Sequence, residues 1–461
     1  MNNSFEGLLQ VEVIMNKTRI FKQIPFIISF LCIIVLLCSP VCADTYYVST
    51  TGNDSYGGNA SSPWRTIQKC ANTISGGDVC IVKDGIYVEN VNISRSGTLG
   101  SLLYIKAENS RQAVINGKII ITGHYVQIEG FKVILQDGSQ DGINSSGNYN
   151  YVIGSYISTD SNALGYSNMA LRISGSNSMA DGNYVEKTCF GIGLTGQYNT
   201  IQNNEVTKLI NGSCGDVDYM RFFGTGHMIR RNYFHGINMN EIGGAHVDCF
   251  QSFDNGGAQH SIINVVVEGN YCSDAHQGMM LEGRVYGLSD GLLVRNNIFK
   301  NCGSWGINAH KIRNVRVFNN TFDMTGGFNG MGCREESSCE VKNNIFYNGT
   351  SLYWYQNSTI IDGTPEAPGK NNLLFRTGIT IAGYSGDVKN QDPLFVNRGF
   401  NNYKLRPESP ARDAGIAING WVSPVDKDGI SRPQGPYWDI GPYEYRVTNL
   451  GSPQNFRSLT N

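Results

Sequence analysis

A short phrase recurs along the middle of this chain, and it restricts the possible folds more than any other feature of the sequence. The phrase is a stretch of alternating apolar residues, then one or two asparagines, then a pair of β-branched or aromatic residues. Clear copies are MIRRNYF (228–234), VVVEGNYC (265–272), LLVRNNIF (292–299), VRVFNNTF (315–322) and EVKNNIF (340–346). The residue before the final pair in successive copies is Gly130, Ser155, Asn183, Asn204, Asn232, Asn270, Asn297, Asn320 and Asn344.

These positions follow one another at intervals of 21 to 38 residues, by subtraction. A period of that size, combined with strand-type alternation, is typical of a β-solenoid. One coil is too thin to bury its own apolar side chains, so neighbouring coils must stack and share a long core. An asparagine at a fixed corner of each coil tolerates the left-handed backbone conformation, and stacked amides can hydrogen-bond along the stack. We therefore expect the asparagines to be structural rather than catalytic.

The repeat resembles that of the right-handed parallel β-helix repeat proteins, the pectate-lyase-like superfamily of pectate lyases and many other secreted carbohydrate-active proteins. The resemblance covers about residues 45 to 348. It implies an all-β chain whose main body is a right-handed parallel β-helix. Because one fold hosts many functions, the repeat indicates the fold much more strongly than the activity.

The segments on either side of the repeat also resemble parts of secreted β-helix proteins. A YYVS…GND…PW.TIQ pattern is similar to their amino-terminal cap and predicts a capping helix, with Ser62 as N-cap and Pro63 as its first residue. We expect Ile67, Ala71 and Ile74 to share its buried side. A DPLFV…SPARDAG…DIGPYEY run is similar to their irregular carboxy-terminal wrap. The predicted organisation is a signal peptide (1–43), the cap and first coils (44–100), β-helix coils (101–348), a carboxy-terminal segment (349–445) and a tail (446–461).

The amino terminus has the pattern of a secretory signal peptide. Basic residues precede an apolar run at 24–37, and small residues lead to a cleavage site after Ala43. The run is short for a membrane span, and Met15 would begin a more conventional signal peptide. We expect a secreted or cell-surface protein with no membrane segment in its mature chain.

The charge of the chain narrows the choice of partner. Only 16% of its residues are charged and the formal net charge is −2, which argues against nucleic acid or an anionic membrane. Abundant uncharged polar and aromatic residues suit a surface that contacts sugars. We expect a monomer that binds polysaccharide.

The cysteines predict disulfides in an oxidising compartment. Removing the three cysteines of the signal peptide from the twelve in the chain leaves nine, so at least one has no intramolecular partner. Sequence proximity predicts bonds between Cys70 and Cys80 and between Cys333 and Cys339. We expect Cys272 to pack in the core as a small apolar residue.

A second strand precedes the asparagine phrase in each coil, and its polar residues form the candidate site. If Phe250 and Met279 point inward, residues one and three places later point outward. Successive coils lie about 4.8 Å apart, so polar residues at matching positions come close together. The predicted outward rows are Arg221, Gln251, Met280 and Asn308, then Glu282, His310 and Arg334, with Asp218 and Asp248 at the strand starts. Long insertions beside this face are typical of loops that build sites.

These residues favour a polysaccharide lyase that cleaves an acidic glycan by β-elimination. The reaction needs a cation that neutralises the uronate carboxylate and a base that removes the neighbouring proton. Candidate catalytic residues are His246, Asp248, Glu282, His310 and Lys311, and candidate substrate-binding residues are Arg221, Gln251, Arg284 and Arg334. Asp218, Asp248 and Glu282 could supply oxygen ligands to Ca²⁺, which the resemblance to β-helix lyases implies. The chain nevertheless lacks a compact run of acidic ligands.

Two alternatives remain at this point. A glycoside hydrolase needs two carboxylates at a defined separation, and Asp218 and Asp248 stand one coil apart. The sequence lacks the signatures of the polygalacturonase-like β-helix hydrolases. The second alternative is a non-catalytic β-helix that binds glycan or serves as a structural rod at the cell surface, in which the aspartates only cap turns.

Overall fold

Each coil of the chain contributes strands to three faces of parallel β-sheet. The computed structural model describes residues 43–136, 140–160, 169–212, 214–254, 257, 260–324, 329–349, 351–356, 359–360, 369–377 and 386–446. The predicted signal peptide lies outside these residues except for Ala43, and the predicted tail lies outside them except for Arg446. From Thr45 onward the chain forms one compact unit.

Face 1 is a 14-stranded parallel sheet that begins with the strand nearest the amino terminus. Its strands are Thr45–Val48, Val79–Val82, Leu103–Ala107, Val126–Glu129, Tyr151–Ile153, Met179–Asp181, Thr200–Gln202, Met228–Arg230, Val266–Glu268, Leu293–Arg295, Val315–Phe318, Ser338–Lys342, Thr359–Ile360 and Gly369–Lys370. These are the alternating strands that precede the asparagines.

Faces 2 and 3 belong to one 22-stranded sheet, because the strands Tyr271–Glu282 and Ile298–His310 run continuously around the corner between them. Face 2 contains the first part of each of these two long strands. Its other strands are Gly85–Tyr87, Ala113–Asn116, Lys132–Leu135, Tyr156–Thr159, Tyr184–Glu186, Glu205–Thr207, Tyr233–His235, Thr321–Asp323, Ile345–Gly349, Leu373–Thr377 and Val388–Lys389. Face 3 contains the last part of each of the two long strands. Its other strands are Val91–Ile93, Ile119–Ile121, Ile143–Ser145, Met169–Ile173, Phe190–Leu194, Met220–Phe222, Asp248–Phe253, Asn329–Arg334 and Ser351–Gln356. The predicted parallel β-helix is thereby confirmed.

The remaining elements are short. Gly224–Thr225 pairs with Ile262–Ile263 in parallel, and Phe395–Asn397 pairs with Asn402–Leu405 in antiparallel fashion. The described part of the chain includes the α-helix Ile67–Thr73 and the 3₁₀ helix Arg398–Phe400. In the described part of the chain, no helix combines the length and the apolar character that a membrane span needs.

The predicted asparagine stack is confirmed as a continuous hydrogen-bonded ladder. In each step the backbone N–H and the side-chain amide of one asparagine both donate to the side-chain oxygen of the next, at 2.8–3.1 Å. The members are Asn183, Asn204, Asn232, Asn270, Asn297, Asn320, Asn344 and Asn372, and all are buried. Within the described residues the ladder therefore extends beyond the predicted last member, Asn344.

The predicted left-handed conformation belongs to the residue before each ladder asparagine. Positive φ angles occur at Asn203, Arg231, Gly269 and Asn296, at 53° to 67°. The pairing of the face 2 strands also corrects the first copy of the repeat. Because Tyr156 pairs with Lys132, Ser155 corresponds to the buried Phe131 rather than to Gly130. The tight corner thus comes one residue earlier than the sequence suggested.

The capping helix begins later than predicted. Its N-cap is Thr66, whose side chain accepts a hydrogen bond from the Lys69 backbone N–H at 3.1 Å. The predicted start at Ser62 is wrong because the Asn59 side chain accepts from the Ser62 backbone N–H at 2.9 Å and holds this segment in a turn. The predicted buried side is confirmed by Ile67, Ala71 and Ile74, which are nearly inaccessible to solvent.

The carboxy-terminal wrap is held to the coils at the left-handed corner. Side-chain amides of Asn319, Asn343 and Asn371 donate to backbone carbonyls of the wrap at 2.8–3.2 Å. Deeper in, the Arg432 guanidinium pairs with the Glu444 carboxylate at 2.6 Å, and both side chains are fully buried. Corner asparagines therefore have two roles: one stacks inside the coil, and its neighbour binds the wrap.

The predicted disulfides Cys70–Cys80 and Cys333–Cys339 are confirmed. Two further bonds are Cys189–Cys214 and Cys249–Cys272. The expectation that Cys272 is a simple core residue is therefore wrong, because the face 3 strand of the same coil brings Cys249 beside it. Cys302 is unbonded and buried, as the odd number of cysteines requires.

Candidate active site

Face 3 has the register that the sequence predicted. Arg221 pairs with Gln251, Gln251 with Met280, and Met280 with Asn308. We name three outward rows: row 1 is Asp218, Asp248, Gln277 and Trp305; row 2 is Arg221, Gln251, Met280 and Asn308; row 3 is Phe253, Glu282, His310 and Arg334. Residues of equal position in successive coils therefore form one continuous surface.

Rows 1 and 2 lie on the same side of the sheet because the strands begin irregularly. Cys249 and Phe250 are consecutive and both fully buried, so the alternation restarts between Asp248 and Gln251. As a result the Gln251 amide donates to Asp248 Oδ2 at 3.1 Å, and Arg221 Nε donates to Asp218 Oδ2 at 2.7 Å. The two rows are joined by side-chain hydrogen bonds.

A cluster of charged groups lies at the start of these strands. Arg221 bridges two carboxylates, since it binds Asp216 as well as Asp218. His246 Nδ1 lies 3.3 Å from Asp248 Oδ2 and 3.9 Å from Asp216 Oδ1. The cluster therefore holds one guanidinium and one imidazole among three carboxyl groups.

His246 is the most accessible member of this cluster. Its side chain is 45% exposed, whereas that of Asp248 is fully buried. The hydrogen bond to Asp248 raises the pKa of His246 to about 9, against the opposing effect of partial burial. The buried carboxylate holds the imidazole through Nδ1, so Nε2, which faces the Gln277 amide, is the ring nitrogen at which a proton could be transferred.

Neighbouring side chains fix the position of the His246 ring. The Gln277 amide nitrogen lies 3.2 Å from His246 Nε2, and Asn308 in turn donates to Gln277 Oε1 at 3.2 Å. The His276 ring stacks on the His246 ring with centroids 5.3 Å apart. Burial, followed by the nearby His246, lowers the pKa of His276. His276 therefore favours the neutral form beside a protonated His246.

The two row 1 carboxyl groups favour the protonated state more than exposed carboxyls do. Burial, and then the neighbouring Asp248, raises the pKa of Asp218 well above its usual value. Burial also raises the pKa of Asp248, and its Oδ1 has no hydrogen-bond partner within the described structure. Neither side chain is exposed to solvent. Asp218 and Asp248 therefore act on a ligand only through the residues that cover them.

Three residues of this cluster were not among the predicted site residues: Asp216, His276 and Gln277. Asp216 pairs with His246 in a parallel bridge, and His276 stacks one coil further on. The three positions 216, 246 and 276 are separated by 30 residues each, by subtraction. That constant interval in the sequence could have indicated these residues. The strand pattern alone did not, because they lie before the strands or at an irregularity within one.

The remaining predicted residues form a second group at row 3. His310 Nε2 lies 3.3 Å from Arg334 Nη1, and His310 Nδ1 lies 3.4 Å from Glu335 Oε1. Burial, and then the Arg334 charge, lowers the pKa of His310. Glu282 is exposed and pairs in register with His310.

Row 3 stands apart from row 1. Glu282 follows Gln277 by five residues on one strand, which corresponds to roughly 15 Å. The structure therefore does not bring Glu282 together with Asp218 and Asp248. Arg284 is exposed and its backbone N–H donates to Asp254, while Lys311 Nζ donates to the Arg284 carbonyl at 3.4 Å. These residues line the far edge of face 3.

A metal ion could contact Asp216, Asp218 and His246, which each place one ligand atom within 4.8 Å of the others. The set does not fit calcium, which takes six to eight oxygen ligands. It offers one nitrogen and two carboxylates, and Arg221 already binds both of those carboxylates. The guanidinium supplies the positive charge that a bound cation would otherwise supply.

Comparison with solved structures shows that the fold of this chain is shared with other proteins. The structure of pectate lyase Pel9A aligns with 87% of this chain and 96% of its own, at a TM-score of 0.58 and 16% identity. The PL6 family alginate lyase AlyGC aligns with 79% of this chain and 57% of its own, at a TM-score of 0.52 and 13% identity. XylC in complex with xylose aligns over 87% and 98%, at a TM-score of 0.50 and 12% identity.

Sequence comparison adds one distant relative. The uncharacterized protein YwoF of Bacillus subtilis (strain 168) is 24% identical over 208 residues, which are 42% of this chain and 43% of that protein. The chain thus matches less than half of the length of that relative. No protein-family model matches the chain. The chain is a parallel β-helix protein with the pectate-lyase-like fold.

Proposed function

We propose that this protein is a secreted polysaccharide-processing enzyme that cleaves an acidic glycan by β-elimination on face 3. One observation carries the proposal: His246 is exposed, while its Nδ1 contacts the buried Asp248 at 3.3 Å. An imidazole in that arrangement can exchange a proton with a ligand at Nε2, where the ligand would take the place of the Gln277 amide. The solved structures of similar fold include a pectate lyase and an alginate lyase, which supports a polysaccharide substrate.

His246 is the proposed base that removes the proton beside the uronate carboxylate. Asp248 is a positioning residue, because it is buried and acts by orienting and charging the imidazole. A pKa of about 9 keeps His246 largely protonated at neutral pH. Since a base must be unprotonated, activity is expected to increase as the pH rises through this value.

Arg221 is the proposed partner of the uronate carboxylate. Its guanidinium lies beside the same Asp216 that His246 approaches, so the two cationic groups share one neighbour. A guanidinium binds a carboxylate through two parallel hydrogen bonds. In this proposal the substrate carboxylate replaces Asp216 as one partner of Arg221, and the positive charge stabilises the carbanion that forms. Its electron pair then forms the carbon–carbon double bond as the bond to the glycosidic oxygen breaks, and that oxygen takes a proton from water.

The basic groups at the far edge support an acidic substrate. Arg284 and Lys311 are exposed or half-exposed there, and Arg334 lies 5.8 Å from the Trp305 ring centroid. A glycan that lies along the strands from row 1 to row 3 would place further carboxylates near these cations. His310 and Glu282 then belong to the binding surface in this proposal, not to the proton transfer.

The hydrolase alternative is less well supported by the geometry. Its two carboxylates, Asp218 and Asp248, are fully buried and bound by Arg221 and Gln251. A hydrolase needs carboxyl groups that touch the glycosidic oxygen and the attacking group. Secretion of a monomer is also part of the proposal, and the four disulfides support an oxidising compartment.

The test is the ultraviolet absorbance of the unsaturated uronate that β-elimination leaves, measured with pectate, alginate and glycosaminoglycans. We expect a rise in absorbance that His246→Ala abolishes and that His235→Ala, a histidine change on face 2, preserves. Chelator should not abolish it, because the residues do not fit calcium. Release of reducing ends without absorbance would instead indicate a hydrolase. Retention of glycan without cleavage would leave the non-catalytic alternative.

A further inference from the structure

A groove runs between face 1 and the segment 416–421 of the carboxy-terminal wrap. Its volume is about 660 Å³, in the range of small-ligand sites. The floor is formed by the strands Leu293–Arg295, Val315–Phe318 and Ser338–Lys342, and the wall by the wrap. The same coils carry row 3 on face 3, but the groove opens on face 1.

The wall of the groove presents a fixed aromatic ring. Trp421 is half-buried, and the Arg295 guanidinium carbon lies 4.1 Å from its ring centroid. Trp438 contacts the ring edge-on at 5.5 Å and packs with Phe318 and Ile418 in a small apolar cluster. Arg295 covers one face of the ring, and the remaining exposed part of the ring offers a contact to a sugar with little further loss of side-chain entropy.

The rim of the groove carries more cations than carboxylates. Arg295, Arg316 and Lys342 line it together with one carboxylate, Glu340, and a second carboxylate, Glu268, pairs with Arg295 at 3.1 Å, so the cations exceed the carboxylates by one. Lys342 Nζ contacts Glu340 Oε1 at 2.6 Å, whereas Arg316 Nε lies 3.9 Å from Glu340 Oε2. Arg316 is 54% exposed. Its guanidinium is therefore the group best placed to bind an anion that enters the groove.

This excess of positive charge is local. The whole chain has a formal net charge of −2, so the groove is not part of a generally basic surface. A flat aromatic ring beside an accessible guanidinium matches a sugar that bears a carboxylate: the ring contacts the sugar, and the guanidinium binds the carboxylate in bidentate fashion.

We propose that this groove is a second glycan-binding site, and that it takes an acidic oligosaccharide through Arg316 and Trp421. The site would hold polysaccharide on the enzyme while face 3 acts on another part of it. The choice of an acidic glycan rests on the proposed function, whereas the groove and its charge do not.

The experiment measures binding of polygalacturonate and alginate oligosaccharides by titration calorimetry, with His246→Ala as the background so that no cleavage occurs. Arg316→Ala, which removes a charge-assisted contact, and Trp421→Ala, which removes the ring contact, should each weaken binding roughly tenfold. Trp421→Phe should recover part of it. Tyr437→Ala and Arg406→Ala, which change exposed residues of the carboxy-terminal wrap outside the groove, should bind like the background. Circular dichroism checks that each variant is folded.

Unchanged affinity in Arg316→Ala and Trp421→Ala, or no binding of either oligosaccharide, would overturn the inference. Equal weakening by the Tyr437→Ala control would also overturn it. Groove-dependent binding by a protein whose wild type produces no unsaturated uronate would sustain the inference and reject the proposed lyase. Cleavage by the wild type with no effect of the groove variants would do the reverse.

Discussion

Removing one side chain from the middle of the asparagine ladder should destabilise the solenoid strongly. Asn270 Nδ2 donates to the Ile229 carbonyl and to Asn297 Oδ1, both at 3.0 Å. Its Oδ1 accepts from the Asn232 backbone N–H at 2.8 Å and from the Asn232 side chain at 2.9 Å. Asn270→Ala therefore breaks four hydrogen bonds at a site with no exposed surface.

The magnitude follows from the groups that lose their partners. Asn297 Oδ1 still accepts from the Asn270 backbone N–H at 2.8 Å. The Asn232 N–H loses its acceptor, and the Ile229 carbonyl loses a donor. Two buried groups at about 1–3 kcal/mol each predict a decrease in the free energy of unfolding of roughly 2–6 kcal/mol.

Urea unfolding followed by circular dichroism measures this difference. Asn240→Ala is the matched control, since Asn240 is exposed in a loop, and it should shift stability by less than about 0.5 kcal/mol. If Asn270→Ala and Asn240→Ala have the same unfolding midpoint, the ladder does not stabilise the fold and the reasoning is refuted.

Three further predictions concern charge. Burial lowers the pKa of His227 to about 4 from 6.5; between these values the unfolded chain binds more protons, so stability should fall by about 3 kcal/mol as the pH decreases through this window. His227→Asn should flatten that dependence in urea titrations at several pH values, and an unchanged slope would contradict it. Arg432→Met leaves the buried Glu444 carboxylate without its ion pair and should cost roughly 3–5 kcal/mol in thermal or urea unfolding, while the double variant with Glu444→Gln should recover most of it; equal loss in both would count against the ion pair. Asp248→Asn should lower the pKa of His246 from about 9 and shift the rising limb of the pH–rate profile to lower pH; an unshifted profile would remove His246 from the role of base.

The fold could be predicted from the sequence because the repeat occurs in successive coils. Alternating apolar residues define face 1, and the asparagines define the corner after it. The error at Gly130 arose because a glycine and an asparagine serve equally well at the left-handed corner position, so one residue of offset leaves the pattern almost unchanged. The late helix start arose because Asn59 competes for the N–H groups of the segment before Pro63.

The candidate site was accessible only in part. The rows on face 3 follow from the period, and so Asp218, Arg221, Asp248 and Gln251 were expected at matching positions. His276 was not expected, because the strand that carries it runs around the corner between faces 2 and 3.

The sequence by itself determined the solenoid, its ladder and the register of face 3, since each depends on contacts between adjacent coils at a constant interval along the chain. Only the tertiary structure decided which polar residues act together. It placed Glu282 five residues beyond Gln277, the register partner of Asp248, stacked the His276 ring on the His246 ring, and buried Asp218 and Asp248. It also formed the groove at Trp421, where the wrap packs on face 1 residues such as Arg295 that precede it by more than a hundred positions. Burial and long-range contact are properties of the packed chain, and no local pattern encodes them.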